Sequence, residues 1–309
     1  MATAPKLRIG TRGSPLALAQ THMVRDLLAK AHDDLAEPGA IDVVVISTKG
    51  DRILDRALAE IGGKGLFTEE IEDGLRDGTL DLAVHSMKDM PTELPDGLII
   101  DAMLPREDVR DAFICQRAGS LDDLPHGAVI GSASLRRKAQ LLAMRPDLQI
   151  ITFRGNVQTR LRKLAAGEVD ATLLALAGLR RLNMADVATA IFDEQSLLPA
   201  VAQGAIGIEC RADATRTRGW LATIDDKPTR TCVDMERAML AALDGSCRTP
   251  IAGLARLSGD TIHLDGLVAR TDGSEVLRTA RDGASVDAVR LGRDAGEELK
   301  RRAGPGFFT

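Results

Sequence analysis

The stretch AVHSMKDMPTELP, residues 83–95, ends an apolar run in Ser86, Lys88 and Asp89 and then turns at Pro91. An aspartate among cations stays ionised, because nearby positive charge favours its charged form. Such a group can stabilise a cationic intermediate or pass a proton. Taken alone, Lys88–Asp89 also fits a surface ion pair, and His85 fits a packed strand residue. A second reactive type is Cys247, in ALDGSCRTPIAG, residues 242–253. A helical pattern from Cys232 to about Leu243 precedes it, and Gly245 suits the left-handed residue that ends a helix. Pro250 keeps the helix from resuming. A cysteine on a loop beside Arg248 is out of character for a side chain usually buried as a small hydrophobe.

Arginines supply the other chemistry. In VIGSASLRRKAQLLAMR a strand ends near Ile130, Ser132 or Ser134 caps a helix, and Arg136 and Arg137 fall in its first turn. The positive end of the helix dipole disfavours cations there by roughly 0.3–1 kcal/mol each. Two adjacent arginines at that end are reasonable if they face an anion, and the free N–H groups of the helix start bind anions as well. The pattern recurs at Arg154, before the N-cap Asn156 with Arg160 one turn into the helix. It recurs at Arg12, before Ser14, and at Arg180 and Arg181 after LLALAGL. In open α/β sheets ligands bind at the carboxyl ends of strands. Arginine suits bidentate recognition of carboxylate or phosphate. The reading is a polyanion site. With no GxxxxGK[ST] and no GxGxxG after the first strand, nucleotides are not favoured over polycarboxylates.

The elements that must carry these groups alternate. KLRIGT reads as a strand, followed by a helix with Ser14 as N-cap, Pro15 at its first position and Leu16, Ala19, Met23 and Leu27 at helical spacing. IDVVVIST has the continuous apolarity of a strand buried on both faces. A helix capped by Thr68 and stopped at Gly78 comes next, then strands LDLAVHS and GLIIDAML. From Pro105 a second series sets strands DAFICQ, AVIGS, LQIITF and DATLLAL between helices at 135–144 and 157–166. Alternation of this kind implies parallel sheets with helices packed on them. After Trp220 the pattern changes to three strands split by SGD and DGS turns and a final helix from about Ser285 to Ala303, a small α+β domain with an antiparallel sheet. GDRILDRALAEIGGKG, residues 50–65, reads as a mobile lid or as an ordinary amphipathic turn.

Bulk properties exclude several classes. The 309 residues suffice for two or three domains, and 44% hydrophobic with 28% charged residues is the composition of a soluble globular chain. Aromatics at 2% argue against a base-stacking surface, and a net charge of −5 gives no reason for nonspecific binding to nucleic acid or acidic membranes. No secretory signal or membrane-length apolar run is present. The four cysteines have no metal-ligand spacing. A cytoplasmic chain with reduced thiols fits.

RIGTRGSPLALAQ, GGKGLFTEEIE, HSMKDMPT, GSASLRRKAQL, FRGNVQTRLRKL, LALAGLRRL, LPAVAQGAIGIECR and DGSCRTPIAG, in this order over residues 6–255, closely resemble the porphobilinogen deaminase (hydroxymethylbilane synthase) family. The resemblance implies two lobes like those of periplasmic binding proteins, with a cleft between them, and a third domain carrying a cofactor cysteine. The expected division is 1–104 plus about 200–222, then 105–199, then 223–309. It implies a dipyrromethane cofactor joined to Cys247 by a thioether, on which four porphobilinogen units condense. Each loses ammonia to give an electrophilic methylene-pyrrolenine, which the terminal ring's free α-carbon attacks before losing its proton; water finally releases hydroxymethylbilane. Asp89 matches the catalytic aspartate. Lys88, Arg136, Arg137, Ser132, Ser134, Arg154 and Arg160 match cofactor contacts. Arg12, Ser14, Ser86, Arg154, Arg181, Lys64 and Phe67 match substrate contacts. The family is generally monomeric, and no metal, nucleic acid or membrane partner is implied. Three positions depart from the family pattern: Ser246 for a glycine, Glu60 for a loop lysine, and Ala133 for a serine. The competing reading is a non-catalytic two-lobed binding protein for a small dicarboxylate. It accounts for the arginines but not for a thiol presented on a third domain.

Overall fold

A computed structural model describes residues 5–52, 68–245 and 249–308. Lys64, Phe67 and Glu60, most of the 50–65 segment, and Ser246, Cys247 and Arg248 lie outside the described residues. In chain order the strands are β1 (Leu7–Arg12), β2 (Ile41–Ile46), β3 (Leu82–Ser86), β4 (Leu98–Met103), β5 (Asp111–Cys115), β6 (Val129–Gly131), β7 (Gln149–Ile151), β8 (Ala171–Ala175), β9 (Ala190–Ile191), β10 (Ile206–Arg211), β11 (Ile251–Ser258), β12 (Thr261–Ala269) and β13 (Val276–Ala284). The helices are α1 (Pro15–Ala31), α2 (Asp33–Ala36), α3 (Lys49–Arg52), α4 (Glu69–Arg76), α5 (Leu135–Met144), α6 (Val157–Ala165), α7 (Leu176–Arg181), α8 (Thr215–Leu221), α9 (Lys227–Ala242) and α10 (Ala288–Ala303).

Among the described residues, 5–52, 68–106 and 205–230 form one compact unit, and 107–204, 231–245 and 249–308 a second. The first holds a sheet ordered β2-β1-β3-β10-β4, with β1, β2 and β3 parallel and β10 antiparallel to both its neighbours. The second holds a sheet ordered β7-β6-β8-β5-β9, with β6, β7 and β8 parallel and β5 antiparallel to β8. Both sheets share a plan: three parallel strands joined by helical crossovers, which parallel pairing requires, then a strand of opposite direction, β10 from a distant part of the chain in the first sheet and β5, just before β6 in the chain, in the second. The second unit also contains the antiparallel meander β11-β12-β13. The molecule is thus two α/β lobes plus a small α+β domain.

Helices cover both faces of the first sheet. Val24, Leu28 and Leu35 pack with Leu7, Ile9, Leu82, Val84, Ile206 and Ile208 on one side, and Ile71 and Leu75 of α4 with Leu80, Ala83 and Leu98 on the other. Leu82, Ala83 and Val84 of β3 are therefore apolar without alternation, as residues buried on both faces of a sheet tend to be. In the second unit Ala139 of α5 and Leu198 pack with Ala252, Leu254, Leu267 and Ala269 of the meander. Glu236 on α9, fully buried, ties the same parts together by accepting from Ala202 N at 2.6 Å and Ala255 N at 2.7 Å.

Three local expectations are corrected. The face of α1 toward the sheet is Gln20, Thr21, Val24 and Leu28, whereas Met23 and Leu27 are 42% and 38% exposed. The apolar spacing pointed to the wrong side because two polar residues, Gln20 and Thr21, are needed inside. Helix α9 starts at Lys227 rather than Cys232, with Pro228 in the first turn, where its missing N–H is harmless. Thr68 precedes α4 but makes no side-chain cap bond. Among the described residues no helix is long and apolar enough to cross a membrane.

Candidate active site

In the first unit the candidate residues collect at the carboxyl ends of β1 and β3, adjacent parallel strands that pair through Ile9–Leu82 and Gly10–Ala83. Arg12 ends β1. Ser14 caps α1, its hydroxyl accepting from Ala17 N at 3.2 Å. Ser86 ends β3 and leads into a 3-10 turn, Met87–Asp89. Lys88 is half-buried and Asp89 exposed. Ser86 exchanges hydrogen bonds with buried Gln20: Gln20 Nε2 donates to Ser86 Oγ at 3.0 Å, and the hydroxyl lies 3.2 Å from Gln20 Oε1. Gln20 was not foreseen from sequence. The signal was a polar residue four positions before Val24 on a helix otherwise able to bury an apolar stripe.

The second unit repeats the arrangement at the ends of β6 and β7. Ser134 is the N-cap of α5, accepting from Arg137 N at 3.4 Å, while Ser132 accepts from Ser134 N at 3.2 Å. Asn156 caps α6 by accepting from Thr159 N at 2.9 Å, placing half-buried Arg154 just before that helix and Arg160 one turn inside it. Arg181 does not fit the strand-end pattern. Strand β8 stops at Ala175, and Leu176–Arg181 is helical, so Arg180 and Arg181 lie at a helix carboxyl end. That end is negative and favours cations. Arg180 pairs with Glu107 at 2.8 Å and Asp108 at 3.2 Å. Arg181 donates to Gly204 O at 2.6 Å, and burial pushes its pKa down to about 10.

Arg136 and Arg137 are not open to solvent but 4% and 6% exposed, and the anion between them is the chain's own Asp111. Arg136 Nη2 donates to Asp111 Oδ2 at 2.7 Å and Arg137 Nη2 to Oδ1 at 2.6 Å; their Nη1 groups donate to Leu198 O and Leu173 O. Gln203 Nε2 adds a third bond to Asp111 at 3.0 Å. Burial would raise the Asp111 carboxyl, but the charges and hydrogen bonds of both arginines hold it well below the usual carboxylate range. Asp111 starts β5 and pairs opposite Ala175, the carboxyl end of β8. It is the residue that makes the double arginine tolerable, and its sequence signal was an acid heading a fully apolar strand. Two guanidiniums against one carboxylate leave one buried positive charge, and among the described residues the Nε of each arginine has no hydrogen-bond partner.

The turn before the cysteine loop is closed by a Schellman-type bond from Gly245 N to Leu240 O at 3.0 Å. The left-handed residue is Asp244, with φ 50°, not Gly245. Aspartate tolerates that conformation. At 245 the space is tight: a Cβ would lie 2.4 Å from Ile251 Cδ1 and 2.6 Å from Leu240 Cδ1, so any side chain there requires both ends to shift. Cys115, Cys210 and Cys232 are buried. Among the described residues no cluster of His, Cys, Asp and Glu could hold a metal ion.

Residues 7–219 match the family model "Porphobilinogen deaminase, dipyromethane cofactor binding domain", and residues 230–301 match "Porphobilinogen deaminase, C-terminal domain". The chain is 58% identical over 305 residues to a chloroplastic porphobilinogen deaminase of Oryza sativa subsp. japonica, covering 98% of this chain and 85% of that one. It is also 58% identical over 302 residues to the porphobilinogen deaminase of Paracoccus denitrificans, covering 98% and 96%. Among solved structures, a putative methionine-binding lipoprotein from Bacillus subtilis overlaps 72% of this chain and 91% of its own at 13% identity and a TM-score of 0.43. A periplasmic substrate-binding protein from Coxiella burnetii overlaps 73% and 94% at 14% identity and a TM-score of 0.41. With both family models matched in order across the two lobes and the small domain, the chain belongs to the porphobilinogen deaminase family.

Proposed function

We propose that this porphobilinogen deaminase divides its work between the two strand-end clusters, with Asp89 as the catalytic residue and the arginines as countercharges. The observation that supports this most is the buried Asp111–Arg136–Arg137 group, which carries one uncompensated positive charge and two unpartnered Nε atoms. A carboxylate brought near this group would offset that charge. The residues therefore fit the dipyrromethane cofactor of the family, whose pyrroles each bear an acetate and a propionate. Cys247 would anchor it, and Arg136, Arg137, Ser132, Ser134, Arg154, Arg160 and Lys88 would hold it. When bound, the cofactor supplies the nucleophilic α-carbon that receives each porphobilinogen.

Loss of ammonia from porphobilinogen develops positive charge on the pyrrole nitrogen. Asp89, on an exposed turn at a strand end, is suited to stabilise that charge and to move a proton. Arg12, Ser14, Ser86 and Arg181, with Lys64 and Phe67, would bind the substrate's carboxylates and ring. Gln20 holds the Ser86 hydroxyl in place. The three sheets support a division into 1–104 plus about 200–222, 105–199 and 223–309. A cytoplasmic monomer acting on a small molecule, and not on nucleic acid or membranes, agrees with the net charge of −5; size-exclusion chromatography tests the monomer.

Intact mass of protein from a haem-making host tests the assignment. The expected addition is two pyrrole units, absent in Cys247→Ala. Active protein with the mass of the bare chain would reject it.

A further inference from the structure

We propose that His85 is a positioning residue for the aspartate turn, acting through Glu209. The proposal rests on the role given to Asp89 above. His85 lies on β3 opposite Gly207 of β10, diagonal to Glu209, and its Nε2 is 3.0 Å from Glu209 Oε2. The two are 6% and 0% exposed. Glu72 approaches the pair from α4, also buried; burial raises its carboxyl above the usual value, and the charge of Glu209 adds to that, with Thr68, His85 and Arg76 opposing. Among the described residues Glu209 Oε1 and Glu72 Oε1 have no hydrogen-bond partner. Among the described residues the imidazole is therefore the one side-chain hydrogen-bond partner of a fully buried carboxyl group, a position where losing a single partner is costly and replacing both is not.

What this pair holds is the ladder that delivers Asp89. Past His85, Ser86 pairs with Ile206 and is bonded by Gln20. Met87 N donates to Ala205 O at 3.0 Å, and its side chain lies over Gly207, where a Cβ would come 2.1 Å from the sulfur. Asp89 lies two residues beyond Met87 and one before buried Met90, whose N donates to Met87 O at 3.2 Å, and is itself exposed. Its carboxylate is placed by the register and tilt of β3 on β10, and the His85–Glu209 contact is the polar key between those two strands on the face toward α4.

The test is a double-mutant cycle. His85→Gln and Glu209→Gln are made in the parent enzyme and in Asp89→Asn, and porphobilinogen consumption and thermal midpoint are measured for all. Positioning predicts kcat lower by ~10–100-fold with KM within about twofold in the parent background, a misplacement effect. In Asp89→Asn the same changes lower residual kcat less than about twofold, since the carboxylate they position is gone, while the midpoint falls equally in both backgrounds. Equal fold-losses in both backgrounds, or an unchanged kcat with a lowered midpoint, would overturn the proposal. Glu209→Gln is isosteric and carries the cycle alone should His85→Gln not fold. Asp89→Asn turning over like the parent would remove the role of Asp89 and this proposal with it; that failure is distinguishable because it appears before His85 is touched.

Discussion

Replacing Asp111 by Asn tests the electrostatics of the second unit. The substitution preserves shape but removes the carboxylate that Arg136 and Arg137 share at 2.7 and 2.6 Å, at a site with no solvent exposure. Both guanidiniums keep their charge, as arginine does in proteins, and one amide N–H₂ now faces a donor. Removing one partner of a buried ion pair costs about 3–5 kcal/mol, which at roughly 2–4 °C per kcal/mol is a fall of roughly 6–20 °C in thermal midpoint. The measurement belongs in a Cys247→Ala background, where no cofactor carboxylate can replace the missing one. In cofactor-bearing protein the fall should be smaller. The pH dependence has a definite sign. The folded carboxyl is held below its ordinary value, so its contribution is complete above about pH 4 and fades as pH drops toward the depressed value. The gap between parent and Asp111→Asn should be constant from about pH 5 to 8 and narrow below about 4. A midpoint within about 2 °C of the parent in the Cys247→Ala background, less than a 1 kcal/mol loss would produce, would refute the claim that Asp111 neutralises the arginine pair.

Asp89→Asn should fold, retain the cofactor by mass and lose ~10²–10⁴ in turnover, the usual worth of a positioned acid or base; normal turnover would remove Asp89 from the reaction. Gly245→Val, which forces a side chain against Ile251 and Leu240, should destabilise by ~1–3 kcal/mol and lower the fraction of chains carrying cofactor, read by intact mass. His263 is bonded to Asp282 at 2.7 Å and lies 3.2 Å from Asp265, and both partners raise its pKa against a smaller opposing effect of burial. Its contribution is full below its ordinary value of about 6.5 and is lost as pH rises through the raised one. Thermal midpoints of His263→Gln should therefore differ from the parent more at pH 6 than at pH 9, and an equal difference would count against the pairing.

The α/β alternation, the meander and the helices at 135–144 and 157–165 were legible because each is bounded by its own cap, turn or break. So were Arg12, Arg136, Arg137 and Arg154, whose places follow from strand ends and N-caps. What escaped was decided by partners far away in the chain. Asp111 looked like the head of an ordinary strand until Arg136, 25 residues on, folded over it. Gln20 interrupts the buried face of α1 because Ser86, 66 residues on, requires it. Arg181 was misplaced because Leu176–Arg181 is as apolar at its start as the strand it continues, and nothing local marks the change. Gly245 was assigned the backbone conformation that Asp244 adopts, since sequence shows that glycine is needed but not whether for angle or for room.

The position of β10 has a consequence during synthesis. It lies between β3 and β4, and among the described residues β4 has no other hydrogen-bonded neighbour in its sheet. About a hundred residues separate Met103 from Ile206, so at ~5–20 residues per second β4 emerges from the ribosome roughly 5–20 s before its partner strand exists. For that interval the first lobe is a half-built sheet with an open border beside β3, the kind of edge that pairs with whatever strand arrives first. The nascent chain thus completes its first lobe only after most of the second has been translated.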